Sequence, residues 1–400
     1  MTLISIILLA LFFIPTLYLL AMALAAIRPA PAVRWHDRQP RTRFAIAIPA
    51  HNEETVIAGT VQRLMALDYP FDRFRIHIVA DHCTDQTALL ARQAGAEAHE
   101  RNEGPRSGKG AALSWLFGRI LQDDQVDALV IFDADTRVDA SFLRVMDARL
   151  TDGAQVVQGQ HRISNPKSGW FPALTWAMFL IDNRFQNLGR SNLGWSAKHM
   201  GDSICFRADV LRRLGWGEGL TEDYQLRQRL LLEGIHIVYE PAALGLGEAP
   251  LTWQQARAQR ARWLRGTHDA SRQFAGQLLR EALKRGDGAL LDGALQAYLP
   301  SYSTLTLLAV LLLVVQLVLL GLGGTIAAGA RIGWAALVGL LYVYPLFGLV
   351  LERAPLRAYA AILTGPVFML WRSGLALQAR LGRRPVTWVR TAHGGSEKGK

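Results

Sequence analysis

Cysteine is almost absent from this chain of 400 residues, and the two present, Cys83 and Cys205, lie far apart. That excludes a disulfide framework and a cysteine-built zinc site, since both need several thiols at short spacing. Such isolated thiols act as small packing groups. Charge is missing from whole stretches. Residues 1–27 carry no charged side chain and are mostly Leu, Ile, Ala and Phe. About 20 apolar residues cross a bilayer, so a membrane helix is predicted over 1–27. Ala23-Leu24-Ala25 has the composition of a leader cleavage site, but the basic segment that opens a leader is lacking. Residues 293–330 are again free of charge. Spans are predicted over 300–322 and 332–351. Only the 14 residues Ala358–Trp371 separate Arg357 from Arg372. That run is short for a span, so 358–378 is expected to be an interfacial or re-entrant helix. There is no internal repeat, and no true P-loop. In Gly104-Pro105-Arg106-Ser107-Gly108-Lys109-Gly110 the glycines are too close, and Gly110 stands where a hydroxyl would bind Mg²⁺.

Acidic residues are outnumbered, 33 against 44 Lys and Arg, for a net charge of +11. A basic balance often means nucleic acid. Here the basic residues flank the apolar runs: Arg28, Arg34, Arg38, Arg41 and Arg43 after the first, Arg280, Lys284 and Arg285 before the second. Membrane lipid headgroups are therefore the expected partner, and nucleic acid is not. The positive-inside rule puts residues 40–290 in the cytoplasm and makes the chain an integral protein of the cell (inner) membrane. Two C-terminal spans return the basic tail, 379–400, to the same side.

What is present is a set of carboxylates at the ends of short, β-branched runs. Asp81 closes Ile76-His77-Ile78-Val79-Ala80, and Asp133-Ala134-Asp135 follows Ala128-Leu129-Val130-Ile131-Phe132. These runs read as buried strands. Helical stretches alternate with them: one from Ala50-His51-Asn52-Glu53-Glu54 to about Ala66 with Asn52 as its cap, one stopping at Gly95, and one from Lys109 through Trp115 to Ile120. The alternation predicts an α/β domain over 40–290 with a mainly parallel sheet. Ligands of such sheets sit beyond the carboxyl ends of the strands. Carboxylates gathered there suit a hard divalent cation, Mg²⁺ or Mn²⁺, shared with substrate phosphates. A further acidic pair, Glu222-Asp223, follows Thr221, and Gln259-Arg260-Ala261-Arg262-Trp263 comes later.

Six segments in order carry a family resemblance: Ile-Pro-Ala-His-Asn-Glu-Glu at 48–54, Val-Ala-Asp-His-Cys-Thr-Asp at 79–85, Gly-Lys-Gly-Ala-Ala-Leu at 108–113, Asp-Ala-Asp at 133–135, Thr-Glu-Asp at 221–223 and Gln-Arg-Ala-Arg-Trp at 259–263. The chain resembles the membrane-bound inverting glycosyltransferases of family 2, which include cellulose, chitin and hyaluronan synthases. The resemblance implies a GT-A nucleotide-binding domain flanked by transmembrane helices. It implies that Asp81 reads the uracil ring of a UDP-sugar and that Glu53 lies near the uridine. Lys109 then contacts the donor, and Asp133 and Asp135 hold the metal, with Asp133 also on the donor side. Asp223 becomes the general base, with Glu222 on the acceptor side. Gln259, Arg262 and Trp263 would hold the diphosphate and the acceptor sugar.

The chemistry is consistent with those roles. Displacing a nucleoside diphosphate puts charge on the leaving phosphate, which a divalent cation and a guanidinium stabilise. The attacking hydroxyl needs a base to take its proton. A single displacement needs no carboxylate nucleophile and inverts the anomeric centre, unlike a retaining glycosidase. The family's Gly-rich turn before the last acidic motif is replaced here by Gly201-Asp202-Ser203, which is expected to alter contacts to a sugar. Few spans predict short products on a lipid-linked or membrane-near saccharide acceptor. A processive polysaccharide synthase is the alternative, and a nucleotidyltransferase is a more distant one.

Overall fold

The computed structural model describes residues 2–217 and 219–381; the basic tail expected over 379–400 falls almost wholly outside them. The chain opens with α1 (Thr2–Ala25), a 24-residue helix containing Pro15. At 1.5 Å per residue it is about 36 Å long, enough to cross a bilayer.

The central unit is built on an eight-stranded sheet. Its first half alternates strand and helix: β1 (Phe44–Ala50), α2 (Ile57–Met65), β2 (Phe74–Asp81), α3 (Thr87–Gln93), β3 (Glu97–Arg101), α4 (Lys109–Ile120) and β4 (Ala128–Ile131). The strands β3, β2, β1 and β4 are parallel neighbours in that order. Beyond β4 come β5 (Arg137–Val138), α5 (Phe142–Thr151), β6 (Val156–Ile163), α6 (Trp170–Asp182), a π-helical turn at Asn183–Gly189, and α7 (Arg190–Asn192). Then follow β7 (Ile204–Arg207), α8 (Ala208–Leu214), α9 (Glu222–Leu232) and β8 (Ile237–Gly247). The full order is β3-β2-β1-β4-β7-β6-β8-β5. β7 runs against both β4 and β6, while β6 and β8 are parallel. The sheet is mixed and mainly parallel.

Period-two alternation divides the strand residues between two cores. Ile46, Ile48, Ile76, Ile78 and Val130 pack with Ile57, Val61 and Leu64 of α2 and with Phe142, Leu143 and Met146 of α5. Ala45, Ala47, Val79, Leu129 and Ile131 face Leu113, Leu116 and Phe117 of α4 and Leu226 and Leu230 of α9. Small alanines on β1 let α4 sit close to the sheet on that side, which brings the start of α4 under the strand ends.

After β8 come the 33-residue α10 (Trp253–Arg285) and α11 (Gly288–Tyr298). Leu278 and Ala282 of α10 pack with Leu290 and Ala294 of α11 and Leu231 of α9. Then come α12 (Tyr302–Gly321) and α13 (Ala328–Leu351), both long and apolar enough to cross a membrane. The three long apolar helices share buried polar contacts: Ser5 Oγ donates to Gln316 Oε1 at 2.7 Å, and Trp334 Nε1 donates to the Ser5 carbonyl at 3.3 Å. Such bonds bind helices together where no hydrophobic force can. The last segment is bent: α14 (Leu356–Ile362) and α15 (Gly365–Leu381) meet at 49°.

One local expectation fails. The helix predicted from Asn52 begins at Ile57 instead. Asn52 adopts φ +57°, and its Oδ1 accepts from the Thr84 backbone N–H at 2.8 Å. That bond reaches the loop after β2, so the residue braces two loops rather than capping its own helix.

Candidate active site

The carboxyl ends of β1, β2 and β4 lie side by side, and two groups of charged residues form there. The first is on the β2 side. Asp81, 5% exposed, ends β2 and is held by an ion pair with Arg101 from β3 and by His82 Nδ1 at 3.0 Å. His51 Nδ1 meets the Asp81 carbonyl at 2.7 Å. Glu53 is buried in the neighbouring loop, where its backbone N–H donates to Thr87 Oγ1 at 2.8 Å. The loops after β1 and β2 are further cross-braced by Gln86 N–H donating to Glu54 Oε2 at 3.1 Å. The braced loops thus stand beside a buried, paired carboxylate.

The second group centres on Lys109, the first residue of α4. Its ammonium pairs with Asp133 and donates to the Gly201 carbonyl at 2.6 Å. Burial pushes the Lys109 pKa down, but Asp133, Asp202 and Glu222 outweigh it, and the value lies above the usual lysine range. Gly110 follows because nothing larger fits: a Cβ there would lie 2.9 Å from the Glu222 side chain. At Gly201, φ +79°, a Cβ would stand 3.2 Å from Asp223 Oδ2. Lys109, Asp133, Glu222 and Asp223 therefore converge from α4, the end of β4 and the start of α9.

The start of a helix favours carboxylates. Asp223 Oδ1 accepts from the Tyr224 backbone N–H at 2.8 Å. Burial dominates nonetheless. It pushes Glu222 up to about 7, with Asp223 adding to the rise. Burial also raises Asp223 above the usual carboxylate range, held back by the Tyr224 N–H, Lys109 and Arg262. Arg262 lies on α10 and donates to the Leu220 carbonyl at 3.0 Å, which ties that helix to the segment before Glu222. Gln259, Arg262 and Trp263 are spaced i, i+3 and i+4, so they share one face of α10. The Arg260 guanidinium lies 4.7 Å above the Trp263 ring.

Asp135 stands half-buried beside this group, and Asp133 and Asp135 both act electrostatically on His161. Two carboxylates just past a strand end, one of them 46% exposed on its side chain, are a pair whose chemistry fits a hard divalent ion. Lys109 sits where such an ion would compete for Asp133.

Two supports were not foreseen from the sequence. Asp202, expected to touch a sugar, is 3% exposed and turned inward. It accepts from the Asp133 backbone N–H at 2.9 Å, Thr136 Oγ1 at 3.2 Å and His161 Nδ1 at 2.6 Å. It thus fixes the backbone of the Asp-Ala-Asp turn. Burial alone would raise the Asp202 pKa, but the His161 bond and the charges around it bring it below the usual range. Arg101 is the other: it ends an edge strand, Glu97-Ala98-His99-Glu100-Arg101, with no apolar pattern to announce it.

Residues 40–266 match the family described as "Glycosyltransferase like family 2". Among curated proteins, the probable glycosyltransferase YdaM of Bacillus subtilis (strain 168) is 27% identical over 273 residues, 63% of this chain and 62% of that protein. The β-monoglucosyldiacylglycerol synthase of Synechocystis sp. is 28% identical over 382 residues, 89% of this chain and 76% of its own length. A poly-β-1,6-N-acetyl-D-glucosamine synthase of Staphylococcus aureus is 26% identical over 235 residues, 56% of this chain and 54% of that one. The chain thus spans between about half and three quarters of the length of these relatives. Among solved structures, the mannosyltransferase PcManGT from Pyrobaculum calidifontis, in complex with GDP-Man and Mn²⁺, superposes with a TM-score of 0.60 at 17% identity, covering 96% of this chain and 99% of that one. At that identity the likeness is one of fold, and it is the GT-A-type architecture expected.

Proposed function

The chain belongs to the family described as glycosyltransferase like family 2, and we propose that it moves a sugar from a nucleotide-sugar donor, a UDP-sugar first among them, to a hydroxyl of a lipid or lipid-linked saccharide at the membrane surface. The observation that carries this reading is the convergence of Lys109, Asp133, Glu222 and Asp223 at the strand ends of a domain continuous with long apolar helices. The match to the glucosyldiacylglycerol synthase, whose aligned region reaches well past the catalytic domain, favours a lipid acceptor.

In this mechanism Asp81, Arg101 and Glu53 hold the nucleoside. Lys109 and Arg262 bring positive charge to the diphosphate, which gains negative charge as it leaves. Bound at Asp133 and Asp135, Mg²⁺ or Mn²⁺ supplies further stabilisation of that charge. Asp223 takes the proton of the acceptor hydroxyl. Burial raises its pKa above the usual carboxylate range, which makes it a better base. Glu222 and Gln259 line the acceptor side, and the indole of Trp263 offers an apolar face to a sugar ring. Direct attack inverts the anomeric centre. The basic flanks favour a cytoplasmic side for the catalytic domain by the positive-inside rule.

The three long apolar helices among the described residues enclose little space for a polar polymer whose hydroxyls must stay bonded, so products of one or a few sugars are expected. The resemblance to a polysaccharide synthase supports the processive alternative. The test is purified protein in detergent, offered a panel of nucleotide sugars with diacylglycerol and lipid-linked acceptors, with products sized by mass spectrometry. Turnover should stop in excess chelator and return with Mg²⁺ or Mn²⁺. Full activity in chelator would remove the metal from the scheme, and a ladder of tens of sugars would promote the polymer reading.

A further inference from the structure

Away from the acidic cluster, the edge of the sheet carries a group that sugar transfer does not use. β2 and β3 pair in parallel with His77 opposite Glu97 and Val79 opposite His99. Side chains alternate along strands, so 77, 97 and 99 share one face. His77 Nδ1 lies 3.2 Å from His99 Nε2 and 3.3 Å from Glu97 Oε2. One ligand atom from each of the three lies within 4.8 Å of the others. We propose that His77, Glu97 and His99 form a second metal site, selective for a borderline divalent ion such as Zn²⁺.

Zn²⁺ binds imidazole nitrogen and carboxylate oxygen at about 2.0–2.2 Å in a tetrahedron, which sets its ligand atoms about 3.3–3.5 Å apart. Two of the three separations already lie close to that length. Two imidazoles and a carboxylate select Zn²⁺ and its neighbours over Mg²⁺ and Mn²⁺, which suit the all-oxygen pair Asp133 and Asp135. The setting is also right. His77 is nearly buried, which holds its ring in place between the two strands. His99 is half-buried and Glu97 exposed, leaving a path for the ion and room for a water as fourth ligand. Asp123, in the loop after α4, adds negative charge toward His77.

The strand itself supplies a reason. β3 offers Ala98 as its one apolar side chain, yet it carries Arg101 to Asp81. His77 lies about 13 Å along β2 from Asp81. A metal clip there would fix the far end of an edge strand that packing holds weakly, because metal binding to a site absent from the unfolded chain adds to folding stability.

Zinc binding tests this without reference to sugar transfer. Full-length protein in detergent, freed of its affinity tag and stripped with chelator, is titrated with Zn²⁺ against a chromophoric competitor. Asp135→Ala serves as the background, to silence the other cation site. One equivalent should bind with a Kd of about 1 µM or tighter, roughly 8 kcal/mol, and Co²⁺ should give the visible bands of a tetrahedral complex. Glu97→Gln and His99→Gln, both at accessible positions and checked for folding by circular dichroism, should each weaken binding at least about 10-fold. Zinc binding weaker than that Kd, or a smaller change in the variants, overturns the proposal.

Discussion

Around Asp292 two arginines and a tyrosine close on a single carboxylate; around Lys109 one ammonium faces several. The first cluster is the more deeply buried. Arg190 Nε donates to Asp292 at 3.0 Å, Arg227 Nη2 at 3.2 Å and Tyr18 Oη at 2.6 Å. These residues come from α7, α9 and α1, with Asp292 on α11, so one carboxylate joins the long apolar helix α1 to the helices packed on the sheet. Burial pushes Asp292 up, but the two guanidiniums win and its pKa lies below the usual range. In the second cluster the balance is reversed. Asp133, Asp202, Glu222 and Asp223 share the field of Lys109, and Glu222 and Asp223 are left with raised pKa values. The first cluster carries its excess of positive charge in the interior, where its bonds hold elements together. The second carries an excess of carboxylates, which attracts cations and takes up protons. The two lie a turn apart on α9, at Arg227 and Asp223, so the buried cationic cluster anchors the helix that presents the acidic one.

The largest expected difference between them lies in turnover. Asp223→Asn keeps shape and removes the basic site. Transfer should fall by roughly 10²- to 10⁴-fold, while nucleotide affinity, measured by calorimetry, stays within about threefold because Asp81, Arg101 and Lys109 are untouched. Lost affinity with unchanged turnover of bound enzyme would place Asp223 on the donor instead.

The converse substitution acts on folding. Asp292→Ala leaves two buried guanidiniums without their counter-ion, which costs about 3–5 kcal/mol. Thermal unfolding in detergent should drop well below wild type, and loss of the Tyr18 bond should loosen α1 from the domain. The pH behaviour has a definite sign. A depressed folded-state pKa gives stability that is present above the unfolded carboxylate value and lost as pH falls below about 4. The wild-type advantage over Asp292→Ala should therefore hold from pH 5 to 8 and fade only in strong acid. An unfolding temperature equal to wild type at pH 7 would mean the cluster contributes nothing.

The same contrast shows what could be read from the sequence. β1, β2, β4, the start of α4 and the long apolar helices are legible because local pattern determines them: β-branched runs, a Gly-Lys-Gly turn and charge-free stretches. Asp81, Lys109 and Asp133 stand at or just past the ends of those elements, so local pattern points to them, whereas Glu222, Asp223, Gln259, Arg262 and Trp263 are named through the family resemblance. Asp202, Arg101, Arg190 and Asp292 could not be named in advance. Each gains its role from a partner more than a dozen residues away: Asp202 from Asp133 and His161, Arg101 from Asp81, Arg190 from Asp292 and Tyr18. No periodicity encodes such pairs. β3 escaped for the related reason that an edge strand of charged residues lacks alternation. The delayed start of α2 also follows from a distant bond, Asn52 to Thr84.

The smallest expected effect is the most discriminating, because it turns the pH argument of Asp292 around. Glu222 has a folded-state pKa of about 7, well above an unfolded glutamate near 4.3. A carboxyl whose pKa is raised contributes stability that is fully present below the unfolded value and lost as pH rises through the folded one. Glu222→Gln removes that titration. Its unfolding temperature relative to wild type should climb between pH 4 and pH 8, by roughly 4 °C. Asp223 raises the Glu222 pKa, so Asp223 ionises first, beside a Glu222 that is still protonated. The neutral amide reproduces that state, so the acid limb of the pH–rate profile should stay in place while any change of rate near pH 7 disappears. A temperature difference that is flat from pH 4 to pH 8 would mean that the two carboxylates do not share a field, and the contrast between the clusters would rest on Asp292 alone.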